Sequence, residues 1–230
     1  MEQIQEQVLQ NPFNYLDVAA KEITAALTRA NYRHGFIGGY AASLIGGVRM
    51  TDDIDIIVDA DPIDARNLLL QVQSGFRMSQ SNKLVFMHDD NKIRVELLRG
   101  GRTRQLKLPD ANSVPLHYVS ASDLSGRVDD TPIPIVHPSV LVLTKIKRWS
   151  FLAESTRPKS IKKADGDVQD IEAILNWLAR NNLRIDFAGY PDKPKEDLLS
   201  EVRKLHEMHT AVRPLLEVTM EVQDFALISN

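Results

Sequence analysis

The segment GFIGGYAASLIGGVRMTDDIDIIVD, residues 35–59, constrains the fold more than any other part of the chain. DIDIIVD has the apolar content of a strand, yet it carries Asp53 and Asp55 at alternate positions. Residues two apart in a strand share a face, so the two carboxylates point one way and Ile54 and Ile56 point to the core. Carboxylates are costly to bury alone, and two this close repel each other unless a cation lies between them. An all-oxygen donor set suits a hard divalent ion, Mg2+ first. A third acid is available in KIRVELL, where Glu96 stands in an apolar strand with Val95 and Leu97 facing away from it. If that strand lies beside residues 53–58, three carboxylates converge.

The glycines before the strand fit the same chemistry. Gly38 and Gly39 let backbone approach a ligand without a Cβ in the way. The short helix expected from Tyr40 would present free N–H groups to a phosphate. Metal beside phosphate at one end of a sheet is the layout of phosphoryl or nucleotidyl transfer.

Around this segment the chain reads as an α+β fold. Residues 14–31 form an amphipathic helix with Leu16, Ala19, Ala20, Ile23, Ala26 and Leu27 on one face. Asp61 and Pro62 open a second helix that closes at Gly75. Residues 83–100 read as a hairpin turning at Asp89-Asp90-Asn91. The signal is weak from Gly100 to Asp130, and TPIPIVHPS, with three prolines, reads as an edge strand or linker. Beyond it the texture is helical, with a break expected near Pro214. The expected organisation is a mixed-sheet domain over residues 1–137 and a helical domain over 138–230 that binds substrate or nucleotide.

Composition narrows the function. A formal charge of −3 excludes a globally basic nucleic-acid binder and leaves room for a local patch. The absence of cysteine removes disulfides, thiolate metal sites and a cysteine nucleophile, and fits a reducing compartment. With a polar, acidic N-terminus and no long apolar run, the expectation is a soluble cytoplasmic protein without a membrane partner.

Gly38-Gly39, thirteen intervening residues and Asp53-Ile54-Asp55-Ile56 resemble the signature of the DNA polymerase beta-like nucleotidyltransferase superfamily. The finer string Gly38-Gly39-x-Ala41, Gly47-x-Arg49-x-Thr51-x-Asp53-x-Asp55 is most similar to the branch of the abortive-infection type IV toxins and the aminoglycoside and lincosamide nucleotidyltransferases. IPIVHPSVLVLTKIKRW, followed by Asp167 and Asp170, resembles the toxin-like members. The third acid of that superfamily is often Asp; here it is Glu96. The resemblance implies a nucleotidyltransferase fold with a mixed central sheet flanked by helices. It implies an enzyme that moves a nucleoside monophosphate from an NTP such as ATP to an acceptor hydroxyl and releases pyrophosphate. Asp53, Asp55 and Glu96 would be catalytic and would hold two Mg2+ ions, with Mn2+ as a substitute. Gly38, Gly39, Ser43, Arg49, Thr51 and Lys145 would bind the nucleotide. The acceptor is either RNA, such as tRNA, or a small hydroxylated molecule such as an antibiotic. A catalytically inactive nucleotide sensor is the remaining alternative.

Several signals also have plainer readings. Arg49 and Thr51 are either triphosphate contacts or a solvent-exposed charge and a turn residue. Lys145, between Leu141 and Trp149 on a helix, is either a phosphate contact or a lysine snorkelling from the core edge. The run Lys145, Lys147, Arg148, Arg157, Lys159, Lys162, Lys163 is either a solvated face or a path for a phosphate-rich acceptor. Trp149 and Trp177 read as core, Asp52 as a surface neighbour, and His206 and His209 as lacking companions for a metal site.

Overall fold

Strand Asp53–Val58 (β2) lies at the centre of a seven-stranded sheet, because Ile54, Ile56, Ile57 and Val58 are all buried. This computed structural model describes residues 14–72, 75–120 and 131–229. The N-terminal reading of residues 1–13, and residues 121–130 of the weakly patterned stretch, lie outside them.

In chain order the elements are α1 (Asn14–Arg29), β1 (His34–Ile37), α2 (Gly38–Ser43), β2, α3 (Pro62–Gln71), β3 (Phe76–Met78), β4 (Leu84–His88), β5 (Asn91–Leu98), β6 (Leu116–Val119) and β7 (Ile133–Val136). The helical part follows with α4 (Pro138–Leu152), α5 (Pro158–Arg180), α6 (Lys195–Met208), α7 (Arg213–Thr219) and α8 (Val222–Ser229). The strand order is β3-β4-β5-β2-β1-β7-β6, parallel at β2–β5 and β1–β7 and antiparallel elsewhere. The sheet is therefore mixed, with helices flanking it.

Local chemistry sets the element ends. The helix α1 stops where Asn31 takes φ 58° and the Tyr32 N–H reaches back to the Leu27 carbonyl, which closes the last turn. The Asp61 side chain accepts from the Ile63 N–H ahead of α3, as its position before Pro62 suggests. The hairpin turns through Asp89 and Asp90, with His88 opposite Asn91. Between α6 and α7 the helix breaks at His209, and Pro214 falls in the first turn of α7.

One expectation is overturned. The proline-rich stretch read as an edge strand or linker forms β7, an internal strand between β1 and β6. Pro134 lacks an N–H, but it sits opposite Tyr118 of β6, and the pairing with β1 narrows to the single position Phe36–Ile135. The true edge on that side is β6, which lies inside the weakly patterned stretch.

A contiguous apolar cluster runs from Leu16, Ile23 and Leu27 of α1 through Phe36, Ile54 and Ile135 to Trp149, Ile174, Val202 and Leu216. The helices α4 and α5 pack against each other, and α5 also touches α2 beside the glycine turn. That contact carries side chains of the helical part to the carboxylate face of the sheet. Among the described residues no helix is long and apolar enough to cross a membrane.

Candidate active site

The register of the sheet builds the site. In the parallel pair β2–β5, Asp55 is opposite Glu96 and Asp53 is opposite Arg94. On the other side of β2, Ile37 is opposite Asp55, so the chain leaving β1 at Gly38 passes over the Asp55 carboxylate. Gly38 has φ +74°, and a Cβ there would lie 2.3 Å from Asp55 Oδ2. Any other residue would be strained and would collide with the acid.

The three acids stand in different surroundings. Neither the Asp55 nor the Glu96 carboxylate has a hydrogen-bond partner among the described residues. Burial, with Asp53 and Glu96 nearby, pushes the Asp55 carboxyl up to about 6. Both oxygens of Asp53 are taken: Thr51 Oγ1 donates to Oδ1 at 2.8 Å, and Arg94 Nη2 donates to Oδ2 at 2.8 Å. Burial opposes ionisation of Asp53, but these two bonds outweigh it and hold its carboxyl below the ordinary value. Among the described residues no three His, Asp or Glu side chains are gathered closely enough to hold a metal ion as they stand. The donor chemistry still fits a hard divalent ion, with Asp55 and Glu96 side by side and free of other partners.

Opposite the acids lies a set of cations fixed from below. Asp167 and Asp170 are one turn apart on α5 and buried. Asp170 clasps the Arg49 guanidinium at 3.1 and 2.8 Å and receives Lys145 Nζ at 2.5 Å. Asp167 clasps Arg148 at 2.8 and 2.5 Å, with Lys145 Nζ 3.7 Å away. Three cations on two carboxylates leave a net positive charge, and the Arg148 and Lys145 charges act on Asp55. Between the two sets opens a cleft of about 690 Å3, lined by Gly38, Asp55, Glu96, Lys145 and Arg148 and also by Lys107, Lys147, Lys193, Asp197 and Glu201.

No protein-family model matches the chain, and no curated protein matches it by sequence. Among solved structures, an antigenic nucleotidyltransferase-like protein from Paracoccidioides brasiliensis matches with a TM-score of 0.66 at 16% identity, covering 90% of this chain and 94% of that one. The fold is the nucleotidyltransferase fold. The antibiotic-resistance factor ANT(2'')-Ia is more distant, with a TM-score of 0.43 and 14% identity over 85% of this chain and 100% of its own. So is a tRNA nucleotidyltransferase complexed with a primer tRNA and an incoming ATP analog, with a TM-score of 0.29 and 11% identity over 85% of this chain and 62% of its own.

Within this nucleotidyltransferase fold the sequence-derived residues separate into groups. Asp53, Asp55 and Glu96 share one face of neighbouring strands. Gly38, Asp55 and Glu96 line the cleft, and Asp53 does not. Gly39 differs from the reading that its missing Cβ opens space for a ligand: a Cβ there would meet Arg49 Nη2 at 2.5 Å and Thr51 Oγ1 at 3.0 Å. Ser43 is buried in α2 with its hydroxyl on the Tyr40 carbonyl, and it does not line the cleft. Arg49 is neither a free phosphate contact nor a solvent charge, because its guanidinium ties the loop before β2 to α5. Thr51 steers Asp53. Lys145 does not snorkel: it is 2% exposed and paired, though its surface reaches the cleft wall.

The basic run splits in two. Lys145, Lys147 and Arg148 lie along the cleft, while Arg157, Lys159, Lys162 and Lys163 are exposed near the start of α5. Sequence reasoning left Arg148 in that run without a role of its own. The signal that marks it is its spacing of three from Lys145, which puts both on one helical face. Arg94 carried no signal, since only the strand register brings it to Asp53.

Proposed function

We propose that this protein is a nucleotidyltransferase that moves a nucleoside monophosphate from an NTP to an acceptor hydroxyl and releases pyrophosphate. The observation that carries the reading is the pair Asp55–Glu96, side by side and unpartnered, facing a cleft whose opposite wall bears Lys145 and Arg148. Carboxylates with no ion-pair contact of their own, across from anchored cations, suit a ligand that brings divalent metal and phosphate together. Asp53, Asp55 and Glu96 would hold two Mg2+ ions, or Mn2+ in their place. Bound there, the metal would supply charge neutralisation at the phosphate and a lowered acceptor-hydroxyl pKa.

The chain's own groups supply the rest. Arg148, pinned by Asp167 but open to the cleft, meets the triphosphate and stabilises charge on the departing pyrophosphate. Lys145 adds field from beneath, since its ammonium is committed to Asp170. Glu96 takes the acceptor side and helps remove the hydroxyl proton. Gly38 keeps the Asp55 carboxylate in position.

An RNA acceptor such as tRNA is favoured by the exposed Arg157, Lys159, Lys162 and Lys163, in keeping with the resemblance to toxin-like nucleotidyltransferases. A second reading, a small hydroxylated molecule such as an antibiotic, is favoured by Asp197, a carboxylate on the cleft wall beside the Lys193–Glu201 ion pair. We place the protein in the cytoplasm, where NTPs are supplied. Pyrophosphate release measured with Mg2+, mixed NTPs and either total tRNA or a panel of aminoglycosides tests the proposal. Release stimulated by one acceptor class and abolished in Asp55→Asn supports it. NTP binding without release under every condition would mark a nucleotide sensor instead.

A further inference from the structure

The acid face is not uniformly ready for metal. Asp55 and Glu96 have no partners among the described residues, whereas Asp53 is occupied on both oxygens, by Thr51 on one side and Arg94 on the other. Thr51 is a neutral donor that aims the carboxylate. Arg94 is a full positive charge seated in register with Asp53 on the adjacent strand, where a cation bridging Asp53 and Asp55 would compete with it. Its side chain is 55% exposed, so it can leave Asp53 without disturbing the core.

From this juxtaposition we infer that Arg94 is an internal counter-ion that divalent metal must displace from Asp53, and that the released guanidinium takes a phosphate group of a substrate. The inference rests on the nucleotidyltransferase reading and adds a coupling to it. Metal alone must expel a bound cation and bring a second positive charge close to it, so its affinity is low. Metal arriving with phosphate gives Arg94 a new partner, a bidentate one if the fork is used fully. Metal and phosphate ligand thus bind cooperatively, each raising the affinity of the other by the same factor.

Mn2+ titration of the full chain, followed by calorimetry and by electron paramagnetic resonance, tests this without reference to turnover. The variant is Arg94→Gln, which removes the charge at an exposed position, and thermal melting in EDTA verifies the fold. Mn2+ alone is expected to bind Arg94→Gln about tenfold more tightly than wild type, the size of a lost partly exposed ion pair together with a removed repulsion. Adding a non-hydrolysable NTP analogue, or separately a short RNA without NTP, should tighten Mn2+ binding in wild type and do so less in Arg94→Gln. Whichever ligand shows the reduced gain is the source of the phosphate. Equal Mn2+ affinities in wild type and Arg94→Gln overturn the counter-ion role. An undiminished gain with both ligands overturns the phosphate contact. If neither protein binds Mn2+ under any condition, the metal-dependent reading itself fails, a result distinct from both.

Discussion

Replacing Asp55 by Asn should stabilise the metal-free protein, and the size of the effect follows from its surroundings. Burial and two neighbouring carboxylates raise the Asp55 pKa from 3.8 to about 6. A folded-state value above the unfolded one means that the folded state binds the proton more tightly, so ionisation costs stability. That rise corresponds to about 3 kcal/mol of ionisation cost, fully present above about pH 7 and falling below about 1 kcal/mol by about pH 4. Asn keeps the shape that packs against Gly38 and removes the charge. Allowing for imperfect hydrogen bonding of the amide, the gain near neutral pH is about 2 kcal/mol, or about 4–8 °C in melting temperature for a chain of this size. Thermal unfolding by circular dichroism in EDTA at pH 7.5 and pH 4 measures it. Asp53→Asn is the internal control, because it gives up Arg94 and Thr51 and should gain nothing. A lower melting temperature for Asp55→Asn at pH 7.5, or a difference that does not shrink at pH 4, would refute the reasoning.

Gly38→Ala forces a side chain into a left-handed backbone and onto Asp55 Oδ2, and should cost about 1–3 kcal/mol in urea denaturation. Asp170→Asn removes the buried carboxylate that Arg49 and Lys145 share, leaving Lys145 only the longer contact to Asp167, and should cost about 3 kcal/mol, far more than any exposed lysine of the α5 start replaced by Ala. Arg148→Lys keeps the charge but loses the fork held by Asp167, so binding of a non-hydrolysable NTP analogue should weaken about tenfold in calorimetry. Unchanged affinity would move the triphosphate away from α4.

The parts of this architecture legible in sequence are those governed by short-range rules. Alternation in DIDIIVD fixed which face the acids share, the cap at Asp61 marked the start of α3, and a period near 3.6 marked α1. Legibility ended where partners are distant. Arg49 and Asp170 are 121 residues apart, and nothing near either one announces that they meet. Lys145 looked like a residue at the core edge because its apolar neighbours are local and its carboxylate is 25 residues on. Proline content argued β7 to the edge of the sheet, whereas the actual edge strand, β6, is four residues long and has too few alternations to show a period.

A nucleotidyltransferase moves the α-phosphate of an NTP, and a kinase the γ-phosphate, so the position of the label tests the function proposed for the Asp55–Glu96 face. Incubating the protein with Mg2+, acceptor and NTP labelled at either phosphorus decides it. The α-label should become attached to the acceptor and the γ-label should leave as pyrophosphate, with both abolished in Asp55→Asn and Glu96→Gln. Attachment of γ-label to the acceptor, or undiminished transfer in Asp55→Asn, would contradict it.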